Sequence, residues 1–242
     1  MDVRRLLLNP IIKERICSNL TFEEVVNFRD ALGLPSLKCP LLIIDSKTQQ
    51  KLILPGVNTL TISINLLIRE YGLNDVFRKV AKNGQDLAVR TLISAEYPDN
   101  KFNIDTLDQW GWTALMLAAL KGENSVVQTL LIFRANINAA DKYGNTALMV
   151  AANYNHNLVV QTLIASKEIN VNAVDQLGRT ALIMATLNGH DVIVRTLLTA
   201  KYSNNNKINV NLATPSGWTA LRWASQKGHH LIIKLLRDHG AY

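Results

Sequence analysis

Twelve residues, Asp141-Lys142-Tyr143-Gly144-Asn145-Thr146-Ala147-Leu148-Met149-Val150-Ala151-Ala152, recur along the chain, and no other feature constrains its fold as much. Copies begin at Asp108 (Gln109-Trp110-Gly111-Trp112-Thr113), at Asp175 (Gln176-Leu177-Gly178-Arg179-Thr180) and at Thr214 (Pro215-Ser216-Gly217-Trp218-Thr219). The threonine stands at 113, 146, 180 and 219, so the steps are 33, 34 and 39 residues. A period of this size marks a solenoid. Each unit is one supersecondary element that cannot bury its apolar face alone and stacks on its neighbours to do so.

Local chemistry predicts what the unit looks like. Gly111, Gly144, Gly178 and Gly217 suit a turn that needs positive φ, and the threonine two places on can cap a helix. Small residues follow (Ala118, Ala119, Ala151, Ala152, Ala185, Ala224) and allow neighbouring helix pairs to approach closely. Each unit then has a turn, with Gly122, Asn155-His156, Gly189-His190 or Gly228-His229. A second apolar helix follows over 126–131, 159–164, 192–198 and 231–236, and links such as Ile137-Asn138, Ile169-Asn170-Val171-Asn172 and Ile208-Asn209-Val210-Asn211 lead onward. The expected fold class is all-α: helix-turn-helix units joined by short hairpin loops.

This pattern resembles the ankyrin repeat, whose residues run D-x-x-G-x-T-P-L-H-x-A, then G-H, V-x-x-L-L and N-x-N. Four full copies cover 108–140, 141–174, 175–213 and 214–242. A degenerate copy over about 73–107 keeps the helix-turn-helix of 80–93 without D-x-x-G-x-T, as a capping repeat would. Met116, Met149, Ile183 and Arg222 replace the family's histidine, which predicts loss of its polar link. The insert Tyr202-Ser203-Asn204-Asn205-Asn206-Lys207 accounts for the step of 39 and reads as a loop between repeats.

The N-terminal third is of another kind. Ile12, Ile16, Leu20, Val25, Val26 and Phe28 fall near helical spacing, with charged residues on the other faces. Thr21 and Glu24 form a capping box that starts a second helix, and Gly33-Leu34-Pro35 ends it. The stretch 8–31 resembles an F-box, which opens with Leu-Pro, has an apolar helix ending Ile-x-x-x-Leu, a Ser/Thr helix start and a Leu-x-x-Leu/Phe-Arg run. Leu8, Ile12, Ile16, Leu20, Thr21, Val25, Phe28 and Arg29 fill those roles. The proline comes one place late at Pro10, the tryptophan usual further on is missing, and the third helix is cut short. The same residues also describe a helical hairpin that merely caps the repeat array. Over 36–66, short β-branched runs fit either strands or loops packed on helices. The expected organisation is an F-box-like segment 1–40, a connector 41–72 and repeats over 73–242.

Charge and motifs exclude several functions. The net charge of +7 comes from 26 basic and 19 acidic residues, and the 17 basic and 12 acidic residues of 73–242 are dispersed rather than gathered into a phosphate-tracking stripe. Nucleic acid is therefore not the expected partner. Cys17 and Cys39 make no disulfide framework or metal pair, which points to a reducing compartment. No apolar run reaches the roughly 18 residues of a membrane span, and the three leucines after Arg5 fall short of a signal peptide's core of about 7 to 15. No P-loop, G-x-S-x-G or H-E-x-x-H occurs. His156, His190 and His229 suit structural hydrogen bonds at the turn. No catalytic residue, cofactor or metal is expected, and the chain is expected to be monomeric apart from its partners.

Binding is the better-supported function. Repeat arrays present extended surfaces, and the variable tip positions here are Trp110, Trp112, Tyr143, Asn145, Leu177, Arg179, Trp218 and Arg222. Trp, Tyr and Arg dominate interface hot spots, so an aromatic and basic surface favours an acidic or mixed target protein. The F-box resemblance implies that Leu8, Pro10, Ile12, Ile16, Leu20, Val25 and Phe28 dock on a Skp-type adaptor of a cullin-RING ubiquitin ligase. F-box–ankyrin combinations are familiar as effectors of intracellular pathogens and viruses, which implies work in a host cytosol. The competing reading is a cytoplasmic ankyrin scaffold with no ubiquitin link.

Overall fold

The computed structural model describes residues 72–94, 102–200 and 207–242. The expected adaptor-binding residues between Leu8 and Phe28, the segment 36–66 and most of the insert after Lys201 lie outside the described residues. The chain divides between Val80 and Ala81 into two units. Helix α1, Leu73–Lys82, crosses that division. It buries Val76, Phe77, Val80 and Ala81, and within it Arg78 ion-pairs with Asp75 one turn away.

The rest of the described chain is helical pairs. After α1 come α2 Asp86–Ser94, α3 Ala114–Lys121, α4 Asn124–Ile132, α5 Ala147–Asn153, α6 Asn157–Ile164, α7 Ala181–Leu187, α8 Asp191–Thr199, α9 Ala220–Lys227 and α10 His230–Asp238. Among the described residues there are ten helices and no strand, with only isolated bridges at Ala140–Thr146 and Ala213–Thr219. First helices α3, α5, α7 and α9 pack side by side in one row, and second helices α2, α4, α6, α8 and α10 in another. The all-α repeat solenoid expected from the period is what forms.

Each first helix starts as its threonine dictates. Thr113, Thr146, Thr180 and Thr219 sit in extended backbone, and each hydroxyl accepts from the N–H three residues on, at 3.2 Å (Met116), 3.4 Å (Met149), 3.2 Å (Ile183) and 3.3 Å (Arg222). Helices of seven or eight residues are too short to stand alone in water, so packing must hold them. Leu115, Leu148 and Leu182 are buried, as are Met116, Met149 and Ile183, the three positions that replace the family's histidine. The polar link is lost there, but the site has become core rather than slack turn. Full burial of such a side chain contributes about 1.5–3 kcal/mol. The alanines at 118, 119, 151, 152, 185 and 224 are fully buried between the rows. Thr186, in place of the second alanine in α7, leaves its buried hydroxyl without a partner.

Four kinds of polar link join one repeat to the next. At the tips, the N–H of Lys142 donates to the Trp110 carbonyl at 3.2 Å, and that of Gln176 to the Tyr143 carbonyl at 2.9 Å. At the opposite turn, Nε2 of His156 pairs with the Leu120 carbonyl at 2.9 Å and Nε2 of His190 with the Asn153 carbonyl at 3.1 Å. Between second helices, the hydroxyls of Thr162 and Thr196 donate to Asn124 and Asn157 at 2.7 and 2.9 Å, and Thr129 bonds Asp86 in the same way. Along the links, Asn138 and Asn172 each donate to one carbonyl of the following repeat (Glu168, Lys207) and accept one of its N–H groups (Asn170, Asn209), at 2.7–2.8 Å.

Among the described residues, the last junction, between 175–213 and 214–242, keeps only one of the four. Asn211 holds the Gly240 carbonyl at 3.1 Å and the Tyr242 N–H at 3.3 Å. Pro215 has no N–H for the tip link, Leu235 stands where the other helices have threonine, and Nε2 of His229 is buried without a hydrogen bond.

Candidate protein-binding face on the hairpin tips

Each tip is a short turn built around one acceptor side chain. Oδ1 of Asp108 accepts the N–H groups of Trp110 and Trp112, both at 2.8 Å. Oδ1 of Asp141 takes those of Tyr143 and Asn145 at 2.8 Å, and Oδ1 of Asp175 takes those of Leu177 and Arg179 at 2.9 and 2.7 Å. The backbone closes the same loop, Gly144 donating to Asp141 at 3.0 Å and Asp141 to Asn145 at 3.0 Å. Gly144 has φ +84°, and a Cβ there would lie 3.0 Å from Cα of Asp175 in the next tip. The glycine therefore serves both the turn and the close approach of its neighbour. The turn in the last repeat replaces aspartate with Thr214, whose hydroxyl accepts one backbone N–H, that of Trp218 at 3.1 Å, and pairs with the Ser216 hydroxyl at 3.0 Å.

This scaffold sorts the expected binding residues into two rows. Trp110, Tyr143 and Leu177 occupy the same position of three successive tips and are 55%, 60% and 61% exposed. Leu107 and Val174, just before the aspartates, are also exposed and extend the apolar edge. Trp112, Asn145, Arg179 and Trp218 form the other row and are half-buried. The polar side chains of Asn145 and Arg179 are engaged within the array. Asn145 donates to both carboxylate oxygens of Asp141 at 3.2 and 3.0 Å. Arg179 holds Oδ2 of the buried Asp175 through Nε at 2.8 Å and Nη2 at 2.7 Å. Trp218 stacks on Trp223 with ring centroids 4.3 Å apart, and the exposed Arg222 lies over Trp218 at 4.8 Å and donates to the Gly217 carbonyl at 3.2 Å. The structure thus brings the eight residues to one side of the repeats but leaves three large apolar side chains free to meet a partner.

The charge of this side is net positive. Hairpins and first helices over 108–227 carry Lys121, Lys142, Arg179, Arg222 and Lys227 against Asp108, Asp141 and Asp175. All three carboxylates already accept backbone N–H groups. Net positive potential is left for a partner to complement.

Among the described residues no group of three or more His, Cys, Asp or Glu side chains could hold a metal ion, and no helix is long and apolar enough to cross a membrane. No curated protein matches the chain. Residues 77–175 and 159–242 match the family described as ankyrin repeats (3 copies), together more than half of the chain. With the capped helix pairs, the G-H turns and the stacked tips in place, the chain belongs to the ankyrin-repeat family.

Proposed function

We propose that this protein is a substrate receptor: its ankyrin array holds a target protein, and its N-terminal segment joins that target to a ubiquitin ligase. An ankyrin array is a protein–protein interaction module, and families built on it are typically binding scaffolds rather than enzymes. The observation that carries the target side is the exposed row Trp110, Tyr143 and Leu177 on three tips locked together by backbone hydrogen bonds. Large apolar side chains on a rigid frame lose little entropy on binding and make effective anchors. Lys142 beside Tyr143 and Arg222 over Trp218 favour a target with an acidic surface.

The ligase side rests on the sequence. Leu8, Pro10, Ile12, Ile16, Leu20, Val25 and Phe28 follow the F-box pattern and would dock on a Skp-type adaptor by apolar contact. An F-box joined to ankyrin repeats suits an effector of an intracellular pathogen working in host cytosol. Co-purification from a eukaryotic lysate tests both halves. The unaltered chain should bring down a Skp-type adaptor with its cullin, and Ile16→Asp with Leu20→Asp should abolish that capture while the array stays folded. Trp110→Ala with Tyr143→Ala should spare the adaptor and lose the target. If the unaltered chain brings no adaptor, the ligase half is wrong and the protein is an ankyrin scaffold without a ubiquitin link.

A further inference from the structure

The tips are not the only place where apolar side chains recur in register. Leu158 in α6, Val192 in α8 and Leu231 in α10 hold the same position, the second residue of each second helix, and are 65%, 51% and 49% exposed. In α4 the position is Ser125, so neither the turn nor the packing demands an apolar residue there. Isolated exposed aliphatics need no explanation, whereas an aligned row does. Three residues further along each helix stand Gln161, Arg195 and Lys234, all exposed, and neither cation has an ion-pair partner among the described residues. The residues just before the row, Asn157, Asp191 and His230, lie one turn ahead of these toward each helix's N-terminus, so the cations stand on the C-terminal side of the row only.

We infer that this second-helix face docks an amphipathic α-helix of a partner protein, with leucine-like residues every seventh position and carboxylates along one side. Packed helices lie about 8–10 Å apart, and seven residues of α-helix rise about 10 Å. A helix crossing α6, α8 and α10 therefore meets Leu158, Val192 and Leu231 with residues i, i+7 and i+14. Its acidic edge faces Arg195 and Lys234. An extended segment fits less well. The backbone groups of these second helices are paired within the helices, so nothing on the face could satisfy an extended chain's N–H and C=O groups, whereas a helix satisfies its own. The face is separate from the hairpin tips and does not depend on what binds there.

The test uses the full chain and a labelled helical peptide of about 18 residues, rich in Ala and Glu, with leucine at i, i+7 and i+14. Fluorescence anisotropy should show saturable binding that weakens with salt. The triple variant Leu158→Ser, Val192→Ser, Leu231→Ser, which installs the residue already tolerated at 125, should weaken it at least about tenfold. Arg195→Glu with Lys234→Glu should weaken it and remove the salt dependence, while Trp110→Ala with Tyr143→Ala should leave it unchanged. Absence of saturable binding overturns the proposal. So does equal binding by a scrambled peptide of the same composition, retention of binding by the serine variant, or loss of binding in the tip variant.

Discussion

The backbone N–H of Gln176 donates to the carbonyl oxygen of Tyr143 at 2.9 Å, and the matching position one repeat later is Pro215, which has no N–H to donate. The threonine and histidine links are missing at the same junction, so among the described residues the last repeat is joined by the Asn211 contacts and apolar packing. A hydrogen bond contributes roughly 0.5–1.5 kcal/mol net. Three fewer of them make opening of 214–242 easier by roughly 1.5–4.5 kcal/mol, or between about tenfold and a thousandfold in population. Hydrogen exchange should therefore show the amides of α9 and α10 exchanging well ahead of those in α5 to α8. Uniform protection across the four pairs would contradict this account of the junctions.

The same relationship can be moved inward. Gln176→Pro removes the link to Tyr143 and also the Nε2 donation of Gln176 to the Lys142 carbonyl at 2.8 Å. Pro215 already occupies the corresponding place in a similar turn, so the backbone accepts proline there. The expected loss is about 1–3 kcal/mol, from the two bonds and not from strain. Urea unfolding should give a lower midpoint with an unchanged slope; an unchanged midpoint would mean that the tip links contribute nothing.

Two glycines separate backbone strain from contact. Gly122 and Gly228 both end first helices in left-handed conformation, at φ +77° and +70°. A Cβ on Gly122 would lie 2.5 Å from Nδ1 of His156, while one on Gly228 meets nothing within 4 Å. Gly228→Ala should cost about 1 kcal/mol for the conformation. Gly122→Ala should cost more, because the imidazole must shift and its 2.9 Å bond to the Leu120 carbonyl is lost. Adding Ala at 122 to a His156→Ala background should bring the increment back to that of Gly228→Ala. Equal costs for the two single variants in thermal melts would remove the histidine from the explanation.

Asp86 predicts a pH effect. Burial pushes its carboxyl up, but the Thr129 hydroxyl bond, the Arg90 hydrogen bond at 2.7 Å and the Arg90 charge together hold it below the ordinary 3.8. A carboxyl depressed in the folded state adds stability that is full above its unfolded value and fades as pH falls through the folded one. The stabilisation from Asp86 should thus be lost only in acid, below about pH 4. Thr129→Val should raise the Asp86 midpoint in an NMR titration and move the acid limb of the stability curve upward. A midpoint unmoved by the substitution would show that the hydroxyl does not act on this carboxylate.

Much of the fold was legible in the chain because its causes are local and repeat. The period, the glycine at the tight turn, the threonine that caps the next helix and the buried alanines each act within a few residues, and four copies make the pattern hard to mistake. The structural use of His156 and His190 was legible for the same reason. Less legible was the fate of the tip residues. Trp110 and Trp112 are two places apart and chemically alike, yet one stands exposed and the other half-buried. Arg179 resembled a free contact until Asp175 took its guanidinium.

What the sequence by itself determined is the unit: where helices start, where they stop, and that units must stack to bury their apolar faces. What only the tertiary structure decided is the use of each side chain once a neighbouring repeat lies against it. Thr129, Thr162 and Thr196 look like ordinary polar positions on apolar helices, and become rungs between helices only when the residue some forty places away arrives beside them. Pro215 reads as one more turn residue until the Tyr143–Gln176 bond shows which donor is missing. Such links depend on distances between residues of different units, and a linear pattern records spacing along the chain but not separation across a junction.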